Sequence, residues 1–263
     1  MDAVLAVRRN DSPAILAASS RFGKFGKEPI HEVRMQKVEM NPALEAMKKA
    51  WSDCIFHPQE LQRDYNEITG KIQDLRYSAK DVEAICFLLA EYQNEANFSQ
   101  NSGLFLSVLM NHCDEDDFII HTAHLAEAFH LIGFHNTKNI TIEGDAGIAV
   151  GFMMRCGTIT VKGKAKDFVG NMMAGGEIIV NGDAGSSVGA NMESGTITVT
   201  GDAGDFVGAD MTGGSITVMG DAGERVGDGM RFGRIDINGA YESMAVNFPR
   251  GMIFHKGKLV RKK

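Results

Sequence analysis

Residues 185–223 read GSSVGANMESGTITVTGDAGDFVGADMTGGSITVMGDAG, and within this stretch the pattern returns after 19 residues. Val188-Gly189 recurs as Val207-Gly208, Met192 as Met211, Gly195 as Gly214 and Gly201 as Gly220. The registers extend outward in both directions. Gly144, Gly163, Gly182, Gly201, Gly220 and Gly239 share one position, and Val-Gly pairs begin at Val150, Val169, Val188, Val207 and Val226. Met154, Met173, Met192, Met211 and Met230 form a third register, and Gly157, Gly176, Gly195, Gly214 and Gly233 a fourth. After each glycine of the fourth register comes a short alternating run: TITV, EIIV, TITV, SITV or RIDI.

A four-residue run with two β-branched residues on one face cannot bury that face alone. Stacking the same run from successive repeats, about 4.8 Å apart, pairs the backbone and closes an apolar interior. Glycines at fixed corners let the chain turn or approach a neighbouring backbone closely. The reading is a parallel β-helix of about six coils, with the Val-Gly register as a second, shorter strand and methionine filling the space between corners. Glycine does not recur every third residue, which excludes collagen, and GGxGxD runs are absent, which excludes the calcium-binding nonapeptide roll.

Outside the repeats the chain changes character. Five of the 30 glycines precede Asn139, and a composition step of that size places a boundary near Thr137 to Asn139. The expected organisation is α+β: a leader over 1–40, expected to be mobile, a helical domain over 41–117, and a β-helix over 118–263 with a tail from 240. Asn41-Pro42 is read as an N-cap and first helical position, and His57-Pro58 likewise for the segment around Leu61 to Leu75. Ser78 and Asp81 resemble a capping box, followed by a stripe of Val82, Ile85, Leu88, Leu89 and Tyr92. Ser102 is read as the start of a further helix. Residues 118–135 are expected to be partly extended and to lead into the repeats.

A formal charge of −7 argues against a general nucleic-acid surface. No apolar run reaches the ~20 residues of a membrane span. Cys54, Cys86, Cys113 and Cys156 show no framework spacing, which suits reduced thiols in a cytoplasmic protein.

Units such as GDAGDFVGADMTGGSITVMGDAG, together with the ending GMIFHKGKLVRKK, resemble the GXGXG β-helix domain. That domain closes the large subunit of glutamate synthase and makes up one of the subunits of formylmethanofuran dehydrogenase. The likeness covers about residues 118–263. It implies a right-handed β-helix with a structural role, supporting domains or subunits that hold the chemistry. The helical first half does not resemble either relative.

Three constellations invite chemistry. His121, His124, His130 and His135 are numerous enough for a metal, but strand alternation sends positions three apart to opposite faces, so they are read as structural cover for the first coil. Asp145, Asp183, Asp202 and Asp221 share a register that could bind calcium or cleave sugars; Lys164 interrupts it, and local turn hydrogen bonding is the expected use. The methionine register is read as packing. No catalytic, cofactor-binding or metal residue is assigned, and no cofactor is expected. The basic end from His255 to Lys263 is read as a solvated cover for the last coil.

The expected function is a non-catalytic structural or assembly subunit binding protein partners, within a redox complex of the glutamate synthase or formylmethanofuran dehydrogenase kind. Two alternatives stand beside it: a free-standing homo-oligomeric scaffold, or a carbohydrate-active or metal-dependent enzyme using the aspartate or histidine constellation. Nucleic acid, membrane and small-molecule substrate are not expected partners.

Overall fold

The computed structural model describes residues 38–57, 59–245 and 250–260. Most of the leader reading therefore falls outside the described residues. From Met40 onward the chain forms one compact unit.

Four helices come first. Helix α1 (Pro42–Ser52) starts as its sequence dictates: the Asn41 side chain accepts from the Leu44 N–H, and proline fills the first turn. Leu44, Met47, Ala50 and Trp51 form its buried side. Helix α3 (Ala79–Leu89) opens on the reciprocal Ser78–Asp81 capping box. Val82, Ile85, Cys86 and Leu89 are its buried stripe; Leu88 and Tyr92, expected there, are only half-buried.

Helix α2 (Leu61–Ile72) corrects the His57-Pro58 reading. It begins later, and the Glu60 side chain makes no capping bond. His57 instead gives its backbone N–H and its Nδ1 to the two oxygens of Asp64, at 2.7 and 2.8 Å. The loop is thus tied to the helix by a side chain inside it. Helix α4 (Phe98–His112) corrects the Ser102 reading: it starts four residues earlier, from Asn97 in a left-handed conformation (φ 59°). Asparagine tolerates that backbone better than most residues, which makes it an effective stop before a new helix. Ser102 lies wholly inside, because α4 is buried along most of its length.

The rest is the solenoid. Strands β1 (Asp117–His121), β2 (Asn139–Glu143), β3 (Thr158–Val161), β4 (Glu177–Val180), β5 (Thr196–Val199), β6 (Ser215–Val218), β7 (Arg234–Ile237) and β8 (Met252–His255) pair in chain order, all parallel. They bound about seven turns, one more than the sequence reading counts. In-register pairing stacks Ile140, Ile159, Ile178, Ile197, Ile216, Ile235 and Ile253 into one ladder. Ile142, Val161, Val180, Val199, Val218 and Ile237 form the second. Every member of both is at most 1% exposed, and each such side chain contributes roughly 2 kcal/mol of burial. The five register methionines are also fully buried, as the packing reading expects.

The Val-Gly register is not a strand. It is a turn in which the residues before and after the valine are left-handed: Ala149 (φ 60°) and Gly151 (φ 69°) in one coil, Phe168 (φ 65°) and Gly170 (φ 63°) in the next. The second line of parallel pairing runs instead through Ala146, Ala165, Ala184, Ala203 and Ala222. The first glycine register serves close approach: a Cβ on Gly201 would lie 2.3 Å from Asp183 Oδ1.

The added turn lies at the beginning, between β1 and β2, which are offset by 22 residues rather than 19. Within it Leu131, Gly133 and His135 have the left-handed backbone of Ala149, Gly151 and Met153. Ile132-Gly133 is therefore an unrecognised Val-Gly position. At the other end β9 (Lys258–Val260) folds back antiparallel on β8. It leaves a three-residue, lysine-bearing edge as the last strand, a poor template for further pairing.

Candidate functional site

The first coil of a solenoid exposes backbone groups that later coils satisfy for one another, so an uncovered end is costly. Here α4 covers it. The Ser107 hydroxyl accepts from the N–H groups of Gly133 (2.9 Å) and Phe134 (3.3 Å), and its one proton lies between the carbonyls of Gly103 in its own helix (2.7 Å) and Leu131 (3.0 Å). Asn111 Nδ2 donates to the Phe134 carbonyl (3.0 Å), and the Ser99 carbonyl accepts from the His130 N–H (2.9 Å). Contact is so close at Gly103 that a Cβ would overlap the His130 carbonyl oxygen at 1.7 Å. The adjoining α3 meets β1, where Cys86 Sγ donates to the His121 carbonyl (3.0 Å).

All four candidate histidines lie in this junction, each on its own partners. His121 Nε2 pairs with Glu83 at 2.8 Å and stacks on Phe87 at 4.8 Å. His124 lies 4.9 Å from the same ring. This overturns the expectation of opposite faces: β1 ends at His121, so strand alternation no longer governs the next turn. His130 is 3.3 Å from Glu127, which also binds Lys166 at 2.7 Å. His135 Nε2 meets Gln62 Oε1 at 3.0 Å and packs edge-on against Tyr65. Burial holds the pKa of His124, His130 and His135 below the usual histidine range; at His124 the neighbouring His121 adds to this, and at His135 Arg155 does. Both nitrogens of His124 are buried without a hydrogen-bond partner. The arrangement is a set of separate clasps between cap and coil.

The aspartate register also differs from expectation in detail. Its hydrogen bonds are not local but run one coil onward: Asp145 Oδ1 accepts from the Lys164 N–H (2.7 Å), Asp183 from Asp202 (3.1 Å), Asp202 from Asp221 (2.7 Å) and Asp221 from Ala240 (2.6 Å). Lys164 interrupts the line as expected: an ammonium offers no acceptor to the next N–H, and it pairs with Asp183 Oδ2 at 2.8 Å instead. The lysine and the Asp202 N–H on Asp183 hold its carboxyl below the usual range, against some burial. A second line missed by sequence reasoning repeats the device: Asp167 Oδ1 accepts from the Ser186 N–H (2.8 Å), Ser186 Oγ from Asp205 (3.3 Å) and Asp205 Oδ1 from Glu224 (2.7 Å). The signal for it was the carboxylate or hydroxyl three residues after the first register. Both lines zip backbone N–H groups of consecutive coils. Cys54, Cys86, Cys113 and Cys156 are free thiols, and Cys156 is exposed.

The solenoid's left-handed corner presents a different kind of surface. Phe168 (φ 65°, 41% exposed) and Met172 (φ 57°, 42% exposed) stand beside Phe152 and Met153, both half-buried. One coil beyond Ser187, in the same register, Phe206 (φ 61°) lies 4.8 Å beneath the Arg225 guanidinium. Large side chains in left-handed backbone cost about 1 kcal/mol or more each, and exposure of their apolar surface recovers none of it. Asn191 and Asp210, at the Met172 position of later coils, suit that backbone better. The register therefore tolerates polar residues, and its first coils carry apolar ones.

No family model matches the chain, and no curated protein matches it. Among the described residues, no helix is long and apolar enough to cross a membrane.

Proposed function

We propose that this chain is a non-catalytic assembly subunit that binds a protein partner on the Phe152–Met153–Phe168–Met172 corner of its β-helix. The carrying observation is the placement of Phe168 and Met172: strained, apolar and exposed on a rigid corner where polar residues fit in neighbouring coils. Parallel pairing holds the corner fixed, so a partner docks without ordering it first. The aspartate line supports this reading because its carboxylates are engaged in joining coil to coil, and the histidines pack within the cap–coil junction. The likeness of the repeats to the GXGXG domain points to a redox complex of the glutamate synthase or formylmethanofuran dehydrogenase kind as the host. Purification of the tagged chain from its native source tests the proposal. A different polypeptide in fixed stoichiometry is the expected result; a monomer, or an assembly of this chain alone, overturns it.

A further inference from the structure

Among the described residues, one group of His, Cys, Asp and Glu side chains brings its potential ligand atoms within 4.8 Å of one another: His57, Asp64 and Glu67. It includes none of the four junction histidines, although His135 meets Gln62 and Tyr65 of the same helix. The loop after α1 delivers His57, and α2 presents Asp64 and Glu67 three residues apart, hence on one face. Asp64 is a buried carboxylate, its side chain 3% exposed, in a helix whose other buried residues are Ile68 and Ile72. His57 and Glu67 side chains are 28% and 31% exposed, which leaves an approach from solvent.

We infer that His57, Asp64 and Glu67 bind a first-row transition dication of the zinc class, which clips His57 and the chain leading to it from α1 onto α2. The donor set is one imidazole nitrogen and two carboxylates, a combination such ions accept with a coordination position left over for water. His57 Nδ1 and Asp64 Oδ1 are 2.8 Å apart, so their hydrogen bond opens by only about 0.5 Å to flank a tetrahedral ion about 2 Å from each. The ion takes the place of the proton on His57 Nδ1, and the neutral ring then carries its one N–H proton on Nε2. The ion also offsets the two carboxylates, which otherwise have the His57 contacts on Asp64 and, on Glu67, the Ile55 N–H at 3.3 Å and the Lys71 ammonium at 3.7 Å. Lys71 is long enough to withdraw from Glu67 as the ion enters. Cys54, nearby, stays outside the ligand set: burial pushes its thiol up to about 12, and Sγ donates to the Ala50 carbonyl.

The test is a calorimetric titration of Zn2+ into the full chain, stripped with chelator, at pH 7.5 in two buffers of different protonation enthalpy. One saturable equivalent is expected in both buffers. Glu67→Gln should weaken it at least tenfold and His57→Ala should abolish it, while the His121→Ala/His124→Ala double variant binds as the parent does. Asp64→Asn alters a buried group and can loosen the helical cap, so Glu67→Gln, checked for unchanged circular dichroism, is the deciding variant. Absence of a saturable equivalent means an ion-independent clasp and overturns the inference. So does binding that survives both Glu67→Gln and His57→Ala, or that is lost with His121 and His124.

Discussion

The Ser107 hydroxyl accepts the backbone N–H of Gly133 at 2.9 Å, across the seam between the last helix and the first solenoid coil. One group is buried in the middle of α4, and the other stands at a left-handed corner. Ser107→Ala keeps the shape and removes the acceptor, leaving the Gly133 N–H without this partner and the Phe134 N–H with its bond to the Leu131 carbonyl. A loss of about 1–3 kcal/mol in unfolding free energy is expected from denaturant titration. A change below ~0.5 kcal/mol would mean that the cap seals the coil by apolar packing alone.

Val188 is fully buried in the interior of the repeats. Val188→Asp places an unpaired carboxylate there, and the expected cost is roughly 3–5 kcal/mol. Thermal melting reads it directly. A variant that melts within a degree or two of the parent would show that residue 188 faces outward.

Glycine substitutions should split by position. Gly201→Ala sets a Cβ 2.3 Å from Asp183 Oδ1 and 2.8 Å from the Asp183 backbone nitrogen, so it should destabilise. Gly70, inside α2, has nothing within 4 Å of an added Cβ, and Gly70→Ala should stabilise by about 0.5–1 kcal/mol. Opposite signs in the two melting shifts are the expected result; equal signs would contradict the two assigned roles.

What the sequence made legible follows from how strictly each element constrains its residues. The ladders were readable because identical pockets recur every 19 residues and admit only Ile or Val. The opening coil was not, because its 22-residue offset and its contact with α4 replace the usual residues with Ile132-Gly133 and Asn136. Capping by Asn41 and Ser78 is local chemistry and could be read. The start of α4 at Asn97 could not, since it depends on a left-handed residue without a side-chain cap, and Ser102 offered a stronger local signal. The His121–His124 relationship escaped because one turn residue decides where strand alternation stops. The apolar corner was hidden by its backbone: nothing in the sequence distinguishes Phe168 in an exposed left-handed turn from Phe168 in a core.

Acid should weaken the cap–coil junction. His124, His130 and His135 have folded pKa values lowered from about 6.5, so the unfolded chain takes up protons first as pH falls. Their contribution is fully present above about pH 6.5 and is lost progressively below it. The lowered carboxyls of Glu127 and Asp183 act only further down, so the interval from pH 7 to pH 5 isolates the histidines. Melting temperature should fall across that interval, and less steeply in His124→Phe. A flat profile would contradict the burial assigned to these rings.

The most direct test of the assembly role compares native complexes of the parent chain with those of a Phe168→Glu/Met172→Glu double variant. Both side chains are about 40% exposed, so the fold should be kept, with melting changed by no more than a few degrees. Mass of the purified native particle, by light scattering, is the quantity to measure. A parent particle whose mass is not a whole multiple of the 28.6 kDa chain is expected, and a variant that elutes without its partner. A double variant that retains the full complex would contradict the placement of the docking surface, and a parent of monomer mass would contradict the assembly role itself.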